Sequence, residues 1–205
     1  MDRGATGEPL LEFLAVMRRL RAECPWKAGQ THRSLVRYLL EEAHETAEAI
    51  ETGDAGHLAE ELGDLLLQVY FHAVIAEESG AFTIDDVARG VTEKMVRRNP
   101  HVFGGSDGDG PRDAAAVNEE WERIKAEEKD RSEVTEGLAP TLPTLLRADK
   151  VVDRLARAGR PVDPRGDDLG DRLLALVVEA RRDGVDPDQA LRDAVRRAVS
   201  DASSS

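Results

Sequence analysis

The sequence predicts an all-α protein, and three observations support this prediction. The composition favours helix, because it is rich in leucine, alanine, glutamate and arginine, while aromatic residues make up only 4% of the 205 residues. Apolar residues recur at helical spacing in several long segments. No segment gives a convincing pattern for a β-strand.

The first predicted helix runs from Glu8 to Glu23 and is amphipathic. Its apolar residues recur at helical spacing: Leu10, Leu11, Leu14, Met17 and Leu20. A break follows at the Cys-Pro-Trp segment 24–26. A loop then leads to Thr31, which we expect to be the N-cap of the next helix.

Two long helices are predicted to form an antiparallel hairpin from His32 to Glu78, joined by a short turn at Thr52–Asp54. The first helix carries an apolar stripe, which consists of Val36, Leu39, Leu40, Ala43, Ala47 and Ile50. The second is apolar almost all the way round from Leu62 to Ile75, which is typical of a buried helix.

Two further helices complete the first part of the chain. One is predicted from the N-cap Thr83 to Arg98, where an Asn-Pro pair stops it. A Gly- and Asp-rich loop follows over Gly104–Gly110, and Ala114–Lys129 is predicted to be helical again.

Residues 142–205 form a predicted second unit that repeats the pattern of the first. Asp167–Arg197 matches Glu60–Arg98, because both have an (E/D)-L-G-D string, a long apolar helix, a glycine turn and a helix ending in Arg-Arg. The later copy lacks an EExxE helix before it. The first copy carries two acidic pairs, Glu42 with Glu45 and Glu61 with Asp64, whereas only Asp168 and Asp171 remain in the later copy. We therefore expect this half to be catalytically silent.

The second hairpin helix carries polar side chains inside its apolar stretch. At about 100° per residue, one sector about 80° wide holds Glu61, Asp64, Gln68 and His72. Ionised carboxylates in apolar surroundings are costly unless they are paired or hold a metal. Because no Lys or Arg occurs between Arg37 and Arg89, a divalent cation is the simplest compensation.

The first hairpin helix supplies a matching pair, because Glu42 and Glu45 also lie one turn apart. Taken alone, this helix is more simply interpreted as a solvated acidic face. An antiparallel hairpin would nevertheless bring this pair to Glu61 and Asp64. Four carboxylates form the all-oxygen environment that Mg²⁺ or Mn²⁺ prefers.

The composition argues against several other kinds of protein. A net charge of −13 without a basic tract argues against nucleic-acid binding. The single Cys24 allows neither an intrachain disulfide nor a thiolate zinc site, which suits a reducing cytoplasm. No apolar run approaches the roughly 18 residues of a membrane span, and the N-terminus lacks the features of a signal peptide. We expect a cytoplasmic protein.

With five strings considered together, two of which contain the acidic pairs, the chain resembles the MazG family of nucleoside triphosphate pyrophosphohydrolases, within the all-α NTP pyrophosphatase superfamily. The strings are CPW with QTHxSL, LLEExxE, ELGDLLLQV, KxxRRxPHVF and NExWxxIKxxE. The resemblance is close over residues 10–160 and weak beyond. It implies a helical bundle with a MazG-like domain over residues 8–130 and a degenerate second repeat over residues 131–205.

The resemblance also implies roles for individual residues. Glu42, Glu45, Glu61 and Asp64 match the family's Mg²⁺ ligands. Lys94 and Arg98 match basic residues that hold phosphates, and Trp121 matches an aromatic residue that contacts the base. The implied reaction is hydrolysis of a nucleoside triphosphate to the monophosphate and pyrophosphate. Glu41, the remaining carboxylate close by, is our candidate for orienting or deprotonating the water.

Two positions depart from the family's pattern. Lys27 stands where the family usually has Asp, which weakens any acidic role for that loop, and Asn99 stands where the family usually has His. Neither position belongs to the expected metal ligands.

Three alternative functions are open at this point. A dUTP or dCTP pyrophosphatase of narrow specificity would use the same metal arrangement. A non-catalytic helical regulatory protein would leave the acids solvated. A di-iron bundle would use Glu41 and His44, but it needs a second Glu-x-x-His motif that the chain lacks.

Because the apolar faces exceed what one hairpin can cover, we also expect a homodimer or a higher homo-oligomer.

Overall fold

The computed structural model describes residues 7–104, 113–128 and 133–203, which contain helices and no strand. This confirms the all-α prediction. The helices are α1 (Glu8–Glu23), α2 (Pro25–Ala28), α3 (His32–Thr52), α4 (Ala55–Glu78), α5 (Ile84–Arg98), α6 (Pro100–Phe103), α7 (Ala114–Glu127), α8 (Thr144–Arg157), α9 (Leu169–Arg182) and α10 (Pro187–Ser203). None of these helices is long and apolar enough to cross a membrane.

The predicted helix starts at Thr31 and Thr83 are confirmed. Each threonine accepts a hydrogen bond from the backbone N–H three residues on, and each forms a reciprocal capping box, with Ser34 and Asp86 respectively. The expected loop after α1 contains the short helix α2. The predicted loop after Gly104 and the predicted helix end at Lys129 lie outside the described residues.

The chain divides into two compact units, up to Val117 and from Asn118 onward, so that α7 crosses the division. The predicted end of the MazG-like domain at residue 130 lies outside the described residues and stays a prediction. In the second unit, α8, α9 and α10 pack on one another. Among the residues described there, Val152 and Val177 are the buried apolar ones, and Arg181 bridges Asp149 and Asp153.

In the first unit, α3 and α4 form the predicted hairpin, and α1 packs against α4. The turn between the hairpin helices contains Gly53 at φ 77°, a left-handed conformation that glycine adopts without steric cost. The core cluster consists of Leu14, Met17, Leu35, Tyr70, Phe71 and Val74. This packing fixes α4 along its C-terminal half.

The apolar stripe of α3 does not form its buried face within the protomer. Half or more of Ile50 is exposed, and Val36 and Leu40 are exposed as well. The buried α3 residues are instead Leu35, Thr46 and Ala49. The small side chains of Thr46 and Ala49 allow α3 to approach α4 closely. The face through which α3 packs is therefore not its most apolar face.

Within the protomer, α4 is not buried on all sides. Leu62 and Val69, which lie two turns apart on one side of the helix, are exposed. Burial is concentrated from Gln68 to Ala76.

Candidate metal centre

The hairpin turn and a buried threonine position the acidic residues. Asp54 caps α4 by accepting hydrogen bonds from the N–H groups of Gly56 (2.8 Å) and His57 (3.2 Å). The buried Thr46 hydroxyl donates to the Glu42 carbonyl at 2.7 Å and lies 3.3 Å from the Glu61 carbonyl. Thr46 therefore connects the two helices at the level of the acidic pairs.

Three of the four predicted ligands converge in the structure. Glu42, Glu45 and Glu61 each offer a carboxylate oxygen, and these oxygens lie within 4.8 Å of one another. Glu42 and Glu61 are half-buried, and Glu45 is exposed. Among the described residues, this is the only group of three or more His, Cys, Asp or Glu side chains that meets this condition.

Asp64 is half-buried one turn after Glu61 and is close enough to act on Glu42 electrostatically. The pKa of Glu42 is raised above its ordinary value of 4.5 by burial first, and then by the negative charges of Asp64, Glu45, Glu61 and, last, Glu41. Carboxylates that repel one another at this density and carry only oxygen donors fit a hard divalent cation.

His57 also contacts the acidic group, and this residue was not predicted from the sequence. Its Nε2 lies 3.0 Å from Oε1 of Glu61, one turn away on α4. The signal was available, since residues four apart on a helix face each other. Thr46 was also missed, because nothing in an isolated helix shows which side chain will contact its partner.

The remaining predicted site residues lie on three different helices. Glu41 is exposed on α3 next to Glu42, Lys94 is half-buried on α5, and Arg98 is buried in the last turn of α5. Trp121 is half-buried on α7, in the second unit.

The two positions that depart from the family's pattern have structural explanations. The Lys27 ammonium lies 5.4 Å from the ring centroid of Trp26 and 5.2 Å from that of Phe71, so it makes cation–π contacts at the edge of the core. The Asn99 side chain donates to the Met95 carbonyl at 2.7 Å, where α5 ends.

Arg21 holds the loop that precedes α3. Its side chain is only 8% exposed and forms an ion pair with Glu78 at the end of α4. It also donates to the backbone carbonyls of Lys27, Ala28 and Gln30. These bonds fix the start of α3 relative to α1 and α4.

The predicted polar sector of α4 continues beyond the acids. Gln68 is 3% exposed, and its Oε1 has no hydrogen-bond partner; the same is true of the buried Nε2 of His72. The Nδ1 atoms of His32 and His72 lie 2.7 Å apart, and the two rings stack with centroids 5.1 Å apart.

The matching string in the second unit has a different position on its helix. Asp168 is the N-cap of α9, and its side chain accepts a hydrogen bond from the Asp171 N–H at 3.0 Å. Asp168 and Asp171 thus lie at the helix start, whereas Glu61 and Asp64 lie inside α4.

The sequence comparisons agree with this site. The family described as the MazG nucleotide pyrophosphohydrolase domain matches residues 30–103, which contain the hairpin and α5. An uncharacterized 26.1 kDa protein from Streptomyces cacaoi is 49% identical over 193 residues, which cover 92% of this chain and 78% of that protein.

Several other relatives have names that state an activity. The nucleoside triphosphate pyrophosphohydrolase/pyrophosphatase MazG of Thermotoga maritima is 38% identical, with 92% of this chain and 82% of that protein covered. The nucleoside triphosphate pyrophosphohydrolase of Mycobacterium tuberculosis is 42% identical, with 92% and 55% covered. On these relationships, the chain belongs to the MazG family of nucleotide pyrophosphohydrolases.

Proposed function

We propose that this enzyme hydrolyses nucleoside triphosphates, including deoxynucleoside triphosphates, to the monophosphate and pyrophosphate with Mg²⁺, for which Mn²⁺ can substitute. The convergence of three carboxylates within 4.8 Å on the α3–α4 hairpin is the observation that carries this proposal. The named activity of the relatives supports the same reaction. House-cleaning of the nucleotide pool is the corresponding role.

In this proposal Glu42, Glu45, Glu61 and Asp64 hold the metal. The bound cation supplies charge neutralisation at the phosphates and lowers the pKa of a water molecule. Glu41 is positioned beside Glu42 and accepts the proton of the attacking water, or orients that water. No covalent enzyme intermediate is required.

The cations of α5 complement the triphosphate in this proposal. Lys94 provides a point charge, and Arg98 provides a planar guanidinium that matches two phosphate oxygens. Placement of Lys94 and Arg98 one turn apart on α5 directs both side chains to one side of that helix. Trp121 contacts the base.

The exposed apolar residues of the hairpin support a homodimer. Val36, Leu40 and Ile50 of α3 and Leu62 and Val69 of α4 are exposed in the protomer, which is costly for side chains of this size. We propose that a second copy covers them. Sedimentation analysis of the purified chain distinguishes a dimer from a monomer.

The reaction is tested by incubating the purified protein with a panel of NTPs and dNTPs plus Mg²⁺ and separating the products. We expect monophosphate and pyrophosphate, loss of activity in EDTA, and recovery with Mg²⁺ or Mn²⁺. Formation of diphosphate and orthophosphate would contradict the proposal. Cleavage confined to dUTP or dCTP would identify the narrow-specificity alternative.

A further inference from the structure

A line of polar side chains leads away from the acidic group along α4. Asp64, Gln68 and His72 follow one another at intervals of four residues, so they lie on one face of the helix. The rise of the helix places Gln68 about 6 Å and His72 about 12 Å beyond Asp64 along the axis. Glu61 of the acidic group and this line therefore share one face of α4.

Two atoms on this line have unfulfilled hydrogen-bonding capacity. Gln68 is 3% exposed and its Oε1 has no partner, and the buried Nε2 of His72 has none. Buried polar side-chain atoms are usually hydrogen-bonded, and leaving one unpaired costs free energy. Two such atoms one turn apart indicate a position where a ligand supplies the missing partners.

The character of this line favours an uncharged ligand group over phosphate. The pKa of His72 is lowered by burial first and then by the neighbouring His32, so its imidazole is neutral near pH 7. Gln68 is uncharged. The parallel rings of His32 and His72, inclined by only 2°, show that flat aromatic groups stack at this position.

We propose that Gln68, His72 and His32 form a nucleobase subsite, in which an N–H group of the base donates to Oε1 of Gln68. The proposal rests on the proposed function, because the triphosphate must occupy the neighbouring metal centre. His32 is exposed on the first residue of α3, so its ring can turn away from His72 and let a base take its place in the stack.

The test uses the two products as separate probes in Mg²⁺-loaded enzyme, because pyrophosphate lacks the base and the monophosphate carries it. We expect Gln68→Leu to raise the inhibition constant of the monophosphate and the KM of the triphosphate about tenfold, or about 1.4 kcal/mol. The inhibition constant of pyrophosphate should stay within about twofold of wild type.

The same variant distinguishes ligand binding from a structural role. Leucine removes a buried amide oxygen that has no hydrogen-bond partner, so the thermal midpoint of Gln68→Leu should be unchanged or higher. His72→Phe keeps a flat ring without its nitrogens and should weaken monophosphate binding. His44→Phe, at an exposed position of α3, is the matched control and should change neither inhibition constant.

Three outcomes overturn the subsite. The first is an equal rise in the inhibition constants of the monophosphate and of pyrophosphate in Gln68→Leu. The second is an unchanged inhibition constant of the monophosphate in that variant. The third is a marked fall in its thermal midpoint. A wild-type enzyme that cleaves no triphosphate contradicts the proposed function instead. The two failures are therefore distinguishable.

Discussion

Two segments of this chain share the string L-G-D after an acidic residue, yet the structure uses them differently. In the first unit, Glu61 and Asp64 lie inside α4, where they join carboxylates of α3. In the second unit, Asp168 is the N-cap of α9, and Asp171 supplies the N–H that it binds. The position of a string relative to a helix end, and the presence of a neighbouring acidic helix, decide whether it serves chemistry or capping.

The largest contrast should appear in catalysis. Each of the changes Glu42→Gln, Glu45→Gln, Glu61→Gln and Asp64→Asn removes a negative oxygen from the proposed metal site. We expect kcat at limiting Mg²⁺ to fall at least about 100-fold, equivalent to about 2.7 kcal/mol of barrier. Steady-state kinetics across a Mg²⁺ series measures this effect. Near-wild-type turnover of any one variant would remove that residue from the ligand set.

Mg²⁺ bound to the acidic group of the first unit should stabilise the folded protein strongly. At 100 times its dissociation constant, Mg²⁺ should raise the free energy of unfolding by about 2.7 kcal/mol. Calorimetry with and without Mg²⁺ measures the shift. Glu42→Gln should reduce it, whereas Asp168→Asn should not.

Without bound metal, the negative charge of Glu42 should destabilise the folded protein, because the pKa of this carboxyl is raised. The stability that Glu42 contributes is fully present below about pH 4.5 and is lost as the pH rises through its raised pKa in the folded protein. Glu42→Gln should therefore raise the thermal midpoint of the metal-free protein at pH 7. A lower midpoint would show that the charged form of Glu42 has a stabilising partner.

The second segment should respond in stability and not in catalysis. Asp168→Ala removes an N-cap and should cost about 1 kcal/mol of unfolding free energy. The double change Asp168→Asn/Asp171→Asn keeps a capping side chain, so kcat should remain within about threefold of wild type. Denaturant titration and steady-state kinetics measure the two effects.

A more than tenfold loss of kcat in that folded double variant would reverse the interpretation of the second segment. The C-terminal acids would then have to complete an active site.

The smallest contrast concerns the glycine of each string. A Cβ on Gly63 would meet no heavy atom within 4 Å, so Gly63→Ala should stabilise the protomer by about 0.5–1 kcal/mol. A Cβ on Gly170 would lie 3.1 Å from Oδ1 of Asp168, so Gly170→Ala should stabilise less or destabilise. Urea titration compares the two. If Gly63→Ala instead blocks self-association, the second copy approaches α4 at this residue.

Local signals made much of the fold predictable. Thr31 and Thr83 cap helices through contacts with residues three positions further along the chain. The acidic pairs can be recognised in the sequence because the two residues of each pair are three positions apart. The face that α3 presents to α4 was not predictable in this way. Apolarity favours the stripe with Val36 and Ile50, but close approach of the helices favours Thr46 and Ala49.

The environment of single side chains was likewise set by residues distant in sequence. Lys27 gains its cation–π contact from Phe71, more than forty positions away. Arg21 donates hydrogen bonds to backbone carbonyls of the segment before α3 and forms an ion pair with a carboxylate at the end of α4. The acidic group itself could be predicted because its two pairs lie on consecutive helices joined by a short turn.

The absence of Lys and Arg from residues 38–88 has a kinetic consequence. A nucleotide diffusing toward the hairpin meets a negative potential, so its encounter rate is lowered by repulsion. The Debye length falls from about 30 Å at 0.01 M to about 8 Å at 0.15 M ionic strength, so added salt should accelerate association. A nucleotide that arrives already complexed with Mg²⁺ carries less charge and should be captured faster than the free anion.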